Sequence, residues 1–188
     1  MAYFKHVFTR SDYVAAQARI NKAALNKHSY LGPEGQLRGT LGEIAFEKFL
    51  MQAGLSFNFV NSTQYDYEVV FPTKTVKVDV KTKARNFELR GYFEGSIPDY
   101  VAEHQKYDFA AFVSLLTGDG AVGALSFQSA EIGGFADKAL LNAKGVSKIV
   151  GVDSFGSGNN KCKISCTNIN FNEMLSIDEW LAGQSKQI

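Results

Sequence analysis

The sequence predicts an α/β fold in which a mixed central sheet is flanked by helices on both faces. Three segments support this prediction. Residues 37–53 have the apolar spacing of a helix that packs on a core. Residues 75–82 alternate valine with polar residues, which is typical of a strand with one buried face. Residues 107–116 are largely apolar, which is typical of a strand in the middle of a sheet.

The composition is that of an ordinary globular protein. The chain has 188 residues, of which 45% are hydrophobic and 21% are charged, and its net charge is +1. This overall charge does not indicate nucleic-acid binding, but two segments are locally basic. Residues 1–31 contain five Lys or Arg and one Asp, and residues 74–90 contain six Lys or Arg and two acidic residues. Such segments either neutralise phosphates or keep a surface soluble.

The first predicted element is a helix over residues 11–28. Ser11 is suited to cap it, and the alanines that follow favour helix. Its apolar stripe is thin, so we expect residues 1–31 to form a basic helical arm that lies on DNA or on a second subunit. A Gly-Pro pair then breaks the chain, and residues 32–188 form the main domain.

The second helix, residues 37–53, carries two glycines and a notable glutamate. Gly39 and Gly42 lower helix stability, which close packing against a sheet would explain. Glu43 is open to two interpretations. It is either a solvated helix charge, as we expect for Glu47, or a side chain directed across the sheet.

Three strands follow, over residues 55–60, 65–71 and 75–82. The short connection at Pro72 predicts that the second and third strands form an antiparallel hairpin. That hairpin would place Asp66 beside Asp79, with Glu68 as the alternative neighbour if the register differs.

The rest of the chain completes the sheet. Residues 86–94 are rich in aromatics and form a strand extension or a loop, and Pro98 is suited to begin a helix through residue 105. The sequence Ser176-Ile177-Asp178-Glu179 is a capping box before the last helix. Further strands are expected over 122–129 and 161–166, with a short helix over 135–142.

These elements follow one another as a helix with Glu43, a strand with Asp66, and a strand with Asp79 two residues before Lys81. This order resembles that of the PD-(D/E)XK nuclease superfamily. Many of its members also carry a Gly-Glu pair on the first helix. The resemblance covers about residues 38–85, and this chain lacks the proline that precedes the first aspartate in the family motif. The resemblance implies a restriction-endonuclease-like αβββαβ core.

The resemblance also implies a site. Asp66, Asp79 and the Val80 carbonyl would hold Mg²⁺, with Mn²⁺ as a substitute. Glu43 would bind a second ion or a water molecule of the first, and Lys81 would stabilise charge on the phosphate. We expect the DNA backbone to be contacted by the basic residues Arg38, Lys74, Lys77, Lys83, Arg85 and Arg90.

The function expected on this basis is a Mg²⁺-dependent endonuclease of the homing or restriction type, acting on double-stranded DNA as a homodimer. A Holliday-junction resolvase or repair nuclease is the alternative within the same fold. Outside this class, the chain could be a non-catalytic DNA-binding module or an unrelated α/β protein with a coincidental motif.

No secretory signal is visible in the sequence, and the longest apolar run, residues 109–116, is far below the ~20 residues that span a bilayer. We therefore expect a cytoplasmic protein without a membrane segment. Cys162 and Cys166 are its only cysteines, and with three histidines they are too few for a predicted zinc site.

Overall fold

A computed structural model describes residues 3–22, 32–60, 62–99, 104–118, 126–153 and 164–185. The fold is mixed α/β, as predicted. The helices in the described part are α1 (Arg10–Lys22), α2 (Gly32–Gln52), α3 (Lys138–Lys144) and α4 (Ile177–Ser185). The strands are β1 (Phe4–Val7), β2 (Ser56–Phe59), β3 (Tyr67–Val70), β4 (Thr75–Arg85), β5 (Glu94–Pro98), β6 (Phe109–Thr117), β7 (Phe127–Ala136), β8 (Val146–Lys148) and β9 (Cys166–Asn170).

The main sheet has six strands in the order β1-β7-β6-β4-β3-β2. The β4–β6 pair is parallel and the other neighbouring pairs are antiparallel, so the predicted mixed sheet is confirmed. The predicted β3–β4 hairpin is also confirmed, with Val70 paired to Thr75 and Tyr67 to Val78. β4 extends to Arg85, beyond the expected end at residue 82.

Helix α2 covers one face of this sheet because its apolar side chains repeat at helical spacing. Leu41, Phe46 and Leu50 are fully buried against β3, β4 and β6 residues of one core cluster. Each such side chain stabilises the fold by roughly 1.5–3 kcal/mol through burial. Trp180 of α4 joins the same cluster and stacks on Phe135 with ring centroids 4.1 Å apart.

A second sheet, in the order β5-β9-β8, forms the other layer. Its core cluster includes Ile97, Phe112 and Phe171 and is joined by Leu141 of α3. Helices were expected on both faces of the main sheet. The face opposite α2 is instead covered by the small sheet and one short helix, α3.

The N-terminal segment contains a strand that the sequence analysis missed. β1 pairs with β7, with Phe4 opposite Ile132, and it forms the edge of the main sheet. Helix α1 packs on α2 with Ala16 fully buried. The Tyr13 hydroxyl donates to the Phe127 carbonyl at 2.8 Å and accepts from the Phe127 amide at 2.6 Å. The described part of the expected arm is thus integrated into the core, and residues 23–31 lie outside the described range.

Several boundaries differ from prediction because tertiary packing decides them. β7 continues to Ala136 where a helix was expected from residue 135. Gly133 permits this, since a Cβ there would lie 2.1 Å from the Phe171 ring. Pro98 is the last residue of β5. Asp99 and His104, near the two ends of the helix expected through residue 105, are helical, and residues 100–103 lie outside the described range. The helix required between β4 and β6 in an αβββαβ core therefore stays a prediction.

The predicted strand over 161–166 is instead β9, and residues 161–163 with Cys162 lie outside the described range. Cys166 is buried, and its Sγ donates to Asn168 Oδ1 at 3.4 Å. The capping box is confirmed, because the Ser176 amide donates to Glu179 at 2.8 Å and the Glu179 amide to Ser176 Oγ at 3.3 Å. Among the helices that the structure describes, none has the length and apolar character needed to cross a membrane.

Candidate active site

Asp66 is fixed against β4 by two hydrogen bonds, one from its backbone and one to its side chain. Its amide donates to the Val78 carbonyl at 3.1 Å, and its Oδ2 accepts from the Val80 amide at 2.7 Å. The register that pairs Tyr67 with Val78 places Asp66 next to Asp79, one residue beyond the paired segment. The expectation that the hairpin brings these two aspartates together therefore agrees with the structure.

Asp79 and Lys81 form an ion pair on the face of β4 opposite its core-facing valines. Asp79 is only 2% exposed, since β3 and β6 flank it in the sheet. A carboxylate buried to this extent needs a cation, and Lys81 supplies one. The ammonium of Lys81 also donates to Gln105 Oε1 at 3.1 Å.

Three carboxylates influence one another electrostatically at this position. Burial is the main cause that raises the pKa of Asp66 well above its usual range, and the charges of Asp79 and Glu43 raise it further. Burial likewise raises the pKa of Asp79, against the opposing effect of Lys81, and that of Glu43, against the opposing effect of Arg19. Mutual repulsion of this kind favours a bound cation.

The donors are carboxylate oxygens, which suit Mg²⁺ or Mn²⁺. Their arrangement is less suitable, because the described residues contain no group of three or more His, Cys, Asp or Glu placed to hold a metal ion. Each carboxylate has another partner: Asp66 has the Val80 amide, Asp79 has Lys81, and Glu43 has Arg19.

Glu43 lies on α2, and Gly42 determines how close this helix comes to the sheet. A Cβ at Gly42 would lie 2.0 Å from Thr82 Oγ1 on β4, so the predicted reason for this glycine is confirmed. Gly39 has nothing within 4 Å of its Cβ position, and close packing does not explain it.

Gln105 is a site residue that the sequence analysis missed. Its side chain bonds to both Lys81 and Asp79, and its carbonyl accepts from Lys138 at 2.9 Å. Tyr107 lies nearby, where burial and the Asp79 charge raise the pKa of its phenol to about 12. The sequence contains only Gln-Lys-Tyr before a strand, and no periodicity distinguishes this segment from an ordinary loop.

The predicted DNA-contacting residues separate into two groups. Lys74, Lys77 and Arg90 are exposed. Arg85 instead donates to the Glu94 carbonyl and lies 4.9 Å from the Phe93 ring centroid, and burial lowers its pKa to about 10. The remaining two are partly buried: Lys83 donates to Ser96 Oγ at 3.1 Å, and Arg38 pairs with Glu34. Glu68, the alternative ligand, accepts from the Tyr65 hydroxyl at 2.9 Å.

A cavity of about 180 Å³ adjoins the site between the two sheets. Lys81 and Lys83 both line this cavity. The ammonium of Lys83 is directed toward Ser96 of the small sheet. The cavity's lining residues are Lys81, Thr82, Lys83, Gly95, Ser96, Phe112, Val113 and Phe171.

Comparison with known proteins adds no family assignment. The chain matches no known protein family, and no curated protein matches it at a significant level.

Proposed function

We propose that this protein is a metal-dependent endonuclease that hydrolyses phosphodiester bonds in double-stranded DNA, of the homing or restriction type. One observation supports the proposal above the others. Asp66, Asp79 and Glu43 come from separate segments of the chain and are brought together beside Lys81. In addition to burial, the charges of Asp79 and Glu43 raise the pKa of Asp66, and the charge of Asp79 raises the pKa of Glu43. A buried cluster of like charges lowers stability, and functional sites are where such clusters usually occur.

The roles of the residues follow from their positions. A divalent ion supplies positive charge and polarises the phosphate when it is bound. Asp66, Asp79 and the Val80 carbonyl are the donors proposed to hold it, with Glu43 as a further acidic partner. Lys81 adjoins Asp79 and provides positive charge for a phosphate oxygen, and Gln105 keeps that ammonium in position.

We propose DNA as the substrate and a second copy of the chain as the partner. Each chain has one such site, and a double-strand break requires two attacks on antiparallel strands. A two-fold dimer presents two identical sites in matching orientation. The exposed Lys74, Lys77 and Arg90 are the candidate phosphate contacts. We place this activity in the cytoplasm.

The test is cleavage of supercoiled plasmid, linear duplex and a four-way junction, each with Mg²⁺, Mn²⁺ or EDTA. We expect metal-dependent double-strand breaks by the wild type, and a loss of about 10²–10³ in rate for Lys81→Ala. Lys144→Ala is the control, because Lys144 is exposed at the end of α3, away from the site and from the proposed phosphate contacts.

Normal cleavage by Lys81→Ala would refute the assignment of the site. Binding without any cleavage would instead identify a non-catalytic DNA-binding module. Sedimentation of the DNA complex tests the dimer, and a 1:1 complex that only nicks plasmid would contradict it. Selective cleavage of the junction would move the function to a resolvase.

A further inference from the structure

Arg19 of α1 lies in a pocket built from α2 and the two neighbouring strands. Its guanidinium is 3.0 Å from the Glu47 carboxylate and 3.4 Å from Glu43 Oε2. It lies 4.6 Å from the centroid of the Phe59 ring. The Tyr67 hydroxyl donates to Glu47 Oε1 at 2.8 Å and thereby fixes that carboxylate.

This contact differs from an ordinary surface ion pair. The side chains of Arg19, Glu43 and Glu47 are 26%, 21% and 14% exposed, so solvent screens their charges only partly. Glu43 is also repelled by Asp79, and Arg19 is the cation that offsets this repulsion on the α2 side. Lys81 has the corresponding role on the β4 side.

We propose that Arg19 is an internal counter-ion of Glu43 which a divalent cation must displace, so that Arg19 sets the affinity of the metal site. The inference rests on the proposed function. It explains why the acidic residues are close together and yet not arranged to hold an ion: the carboxylate on α2 is already neutralised from within the chain.

The geometry allows this exchange without loss of the helix. Glu47 holds Arg19 at the shorter distance, and the Phe59 ring holds the other side of the guanidinium. Arg19 therefore keeps two of its contacts when Glu43 turns away. Ala16, one turn earlier on α1, stays buried against α2 and the core.

A positioning role for Arg19 makes the opposite prediction. If the guanidinium holds Glu43 in the orientation that binds metal, removing it weakens metal binding. If Arg19 competes with the metal, removing it strengthens binding. The sign of the change in affinity therefore separates the two roles, and no cleavage assay is needed.

The experiment is a calorimetric titration of the full chain with Mn²⁺ and Mg²⁺, comparing the wild type with Arg19→Gln. We expect Arg19→Gln to bind about 5-fold tighter or more, the lower end of typical coupling between two ligands. Arg10→Gln is the matched control, because Arg10 is exposed at the other end of the same helix, and it should leave affinity unchanged. Asp79→Asn assigns the signal to the site by weakening it.

Arg19→Lys keeps the charge but lacks the planar fork that contacts both glutamates, so its metal affinity should lie between that of the wild type and that expected for Arg19→Gln. It keeps the test available if Arg19→Gln does not fold. Equal or weaker binding by the Arg19 variants, with wild-type binding still sensitive to Asp79→Asn, would overturn the counter-ion role alone. Absence of Asp79-sensitive binding in every variant would overturn the proposed metal-dependent function as well.

Discussion

Gly42 lies so close to Thr82 that a methyl group has no room between them. A Cβ on Gly42 would be 2.0 Å from Thr82 Oγ1 and 3.0 Å from its Cβ. Because Glu43 is the next residue on α2, this approach also determines how near that carboxylate comes to the aspartates beside β4. The contact therefore links helix packing to the geometry of the candidate site.

We expect Gly42→Ala to destabilise the fold by about 1–3 kcal/mol, the usual cost of overpacking. For a chain of this size, about 1 kcal/mol corresponds to roughly 2–4 °C in Tm, which thermal unfolding can resolve. Gly39→Ala on the same helix is the control and should stabilise by about 0.5–1 kcal/mol, because its Cβ position is open. Adding Thr82→Ala should restore part of the loss, and equal Tm values for the two glycine variants would contradict the contact.

Asp66→Asn should stabilise the metal-free protein at neutral pH. Burial and the neighbouring charges raise the pKa of Asp66, so the folded state binds its proton more tightly than the unfolded chain does. The stability of the wild type should then fall as pH rises from about 4 through the raised pKa. Asparagine keeps an acceptor for the Val80 amide and removes the charge, so the variant's stability should depend less on pH.

Urea unfolding between pH 4 and 8, in EDTA, measures this difference. Glu68→Gln is the control, because Glu68 is two residues further along the chain, on β3, and accepts from the Tyr65 hydroxyl instead of joining Asp66, Asp79 and Glu43. If Asp66→Asn is less stable than the wild type throughout this pH range, the neighbouring negative charges do not destabilise the Asp66 carboxylate.

The elements of this fold that depend on local pattern could be predicted, and those that depend on distant partners could not. The alternating valines of β4 and the capping box at Ser176 are local signals, and both gave correct elements. β1 has only four residues and owes its place to pairing with β7, more than a hundred residues away. Its sequence alone carries too little periodicity to reveal it.

The candidate site shows the same division. The spacing of Asp79 and Lys81 placed them on one strand face, and the short turn at Pro72 predicted the hairpin that brings Asp66 near them. Arg19 and Gln105 reach the site from segments whose position depends on tertiary packing. No spacing rule connects such residues to a strand that lies tens of residues away.

Gln105→Ala should reduce cleavage while leaving stability nearly unchanged. The amide bonds to both Lys81 and Asp79, so its removal leaves the ammonium less well positioned for a phosphate. We expect a loss of about 10-fold or more in single-turnover rate, smaller than the loss expected for Lys81→Ala. Gln128→Ala, on β7, is the control, and a normal rate for Gln105→Ala would exclude the amide from the chemistry.

Deleting residues 1–22 should destabilise the fold strongly. The deletion removes the β1 edge strand, the buried Ala16 and the two hydrogen bonds between Tyr13 and Phe127. A milder variant, Tyr13→Phe, should lose about 1–2 kcal/mol because the Phe127 amide loses its acceptor. Circular dichroism melting measures both changes. A truncated chain that melts cooperatively at the wild-type temperature would instead support a separable arm.

The salt dependence of DNA binding should separate exposed basic residues from packed ones. Each phosphate neutralised contributes about −0.9 to the slope of log K against log salt, so Lys74→Ala and Lys77→Ala should each reduce the slope by about 1. Arg85→Ala should instead lower stability, because this arginine packs beside Phe93 and donates to the Glu94 carbonyl. The measurement is fluorescence anisotropy with a duplex in EDTA, where cleavage does not interfere. If Arg85→Ala changes the slope while Lys77→Ala does not, the phosphate path runs past the end of β4 beside Phe93 and not over its exposed start.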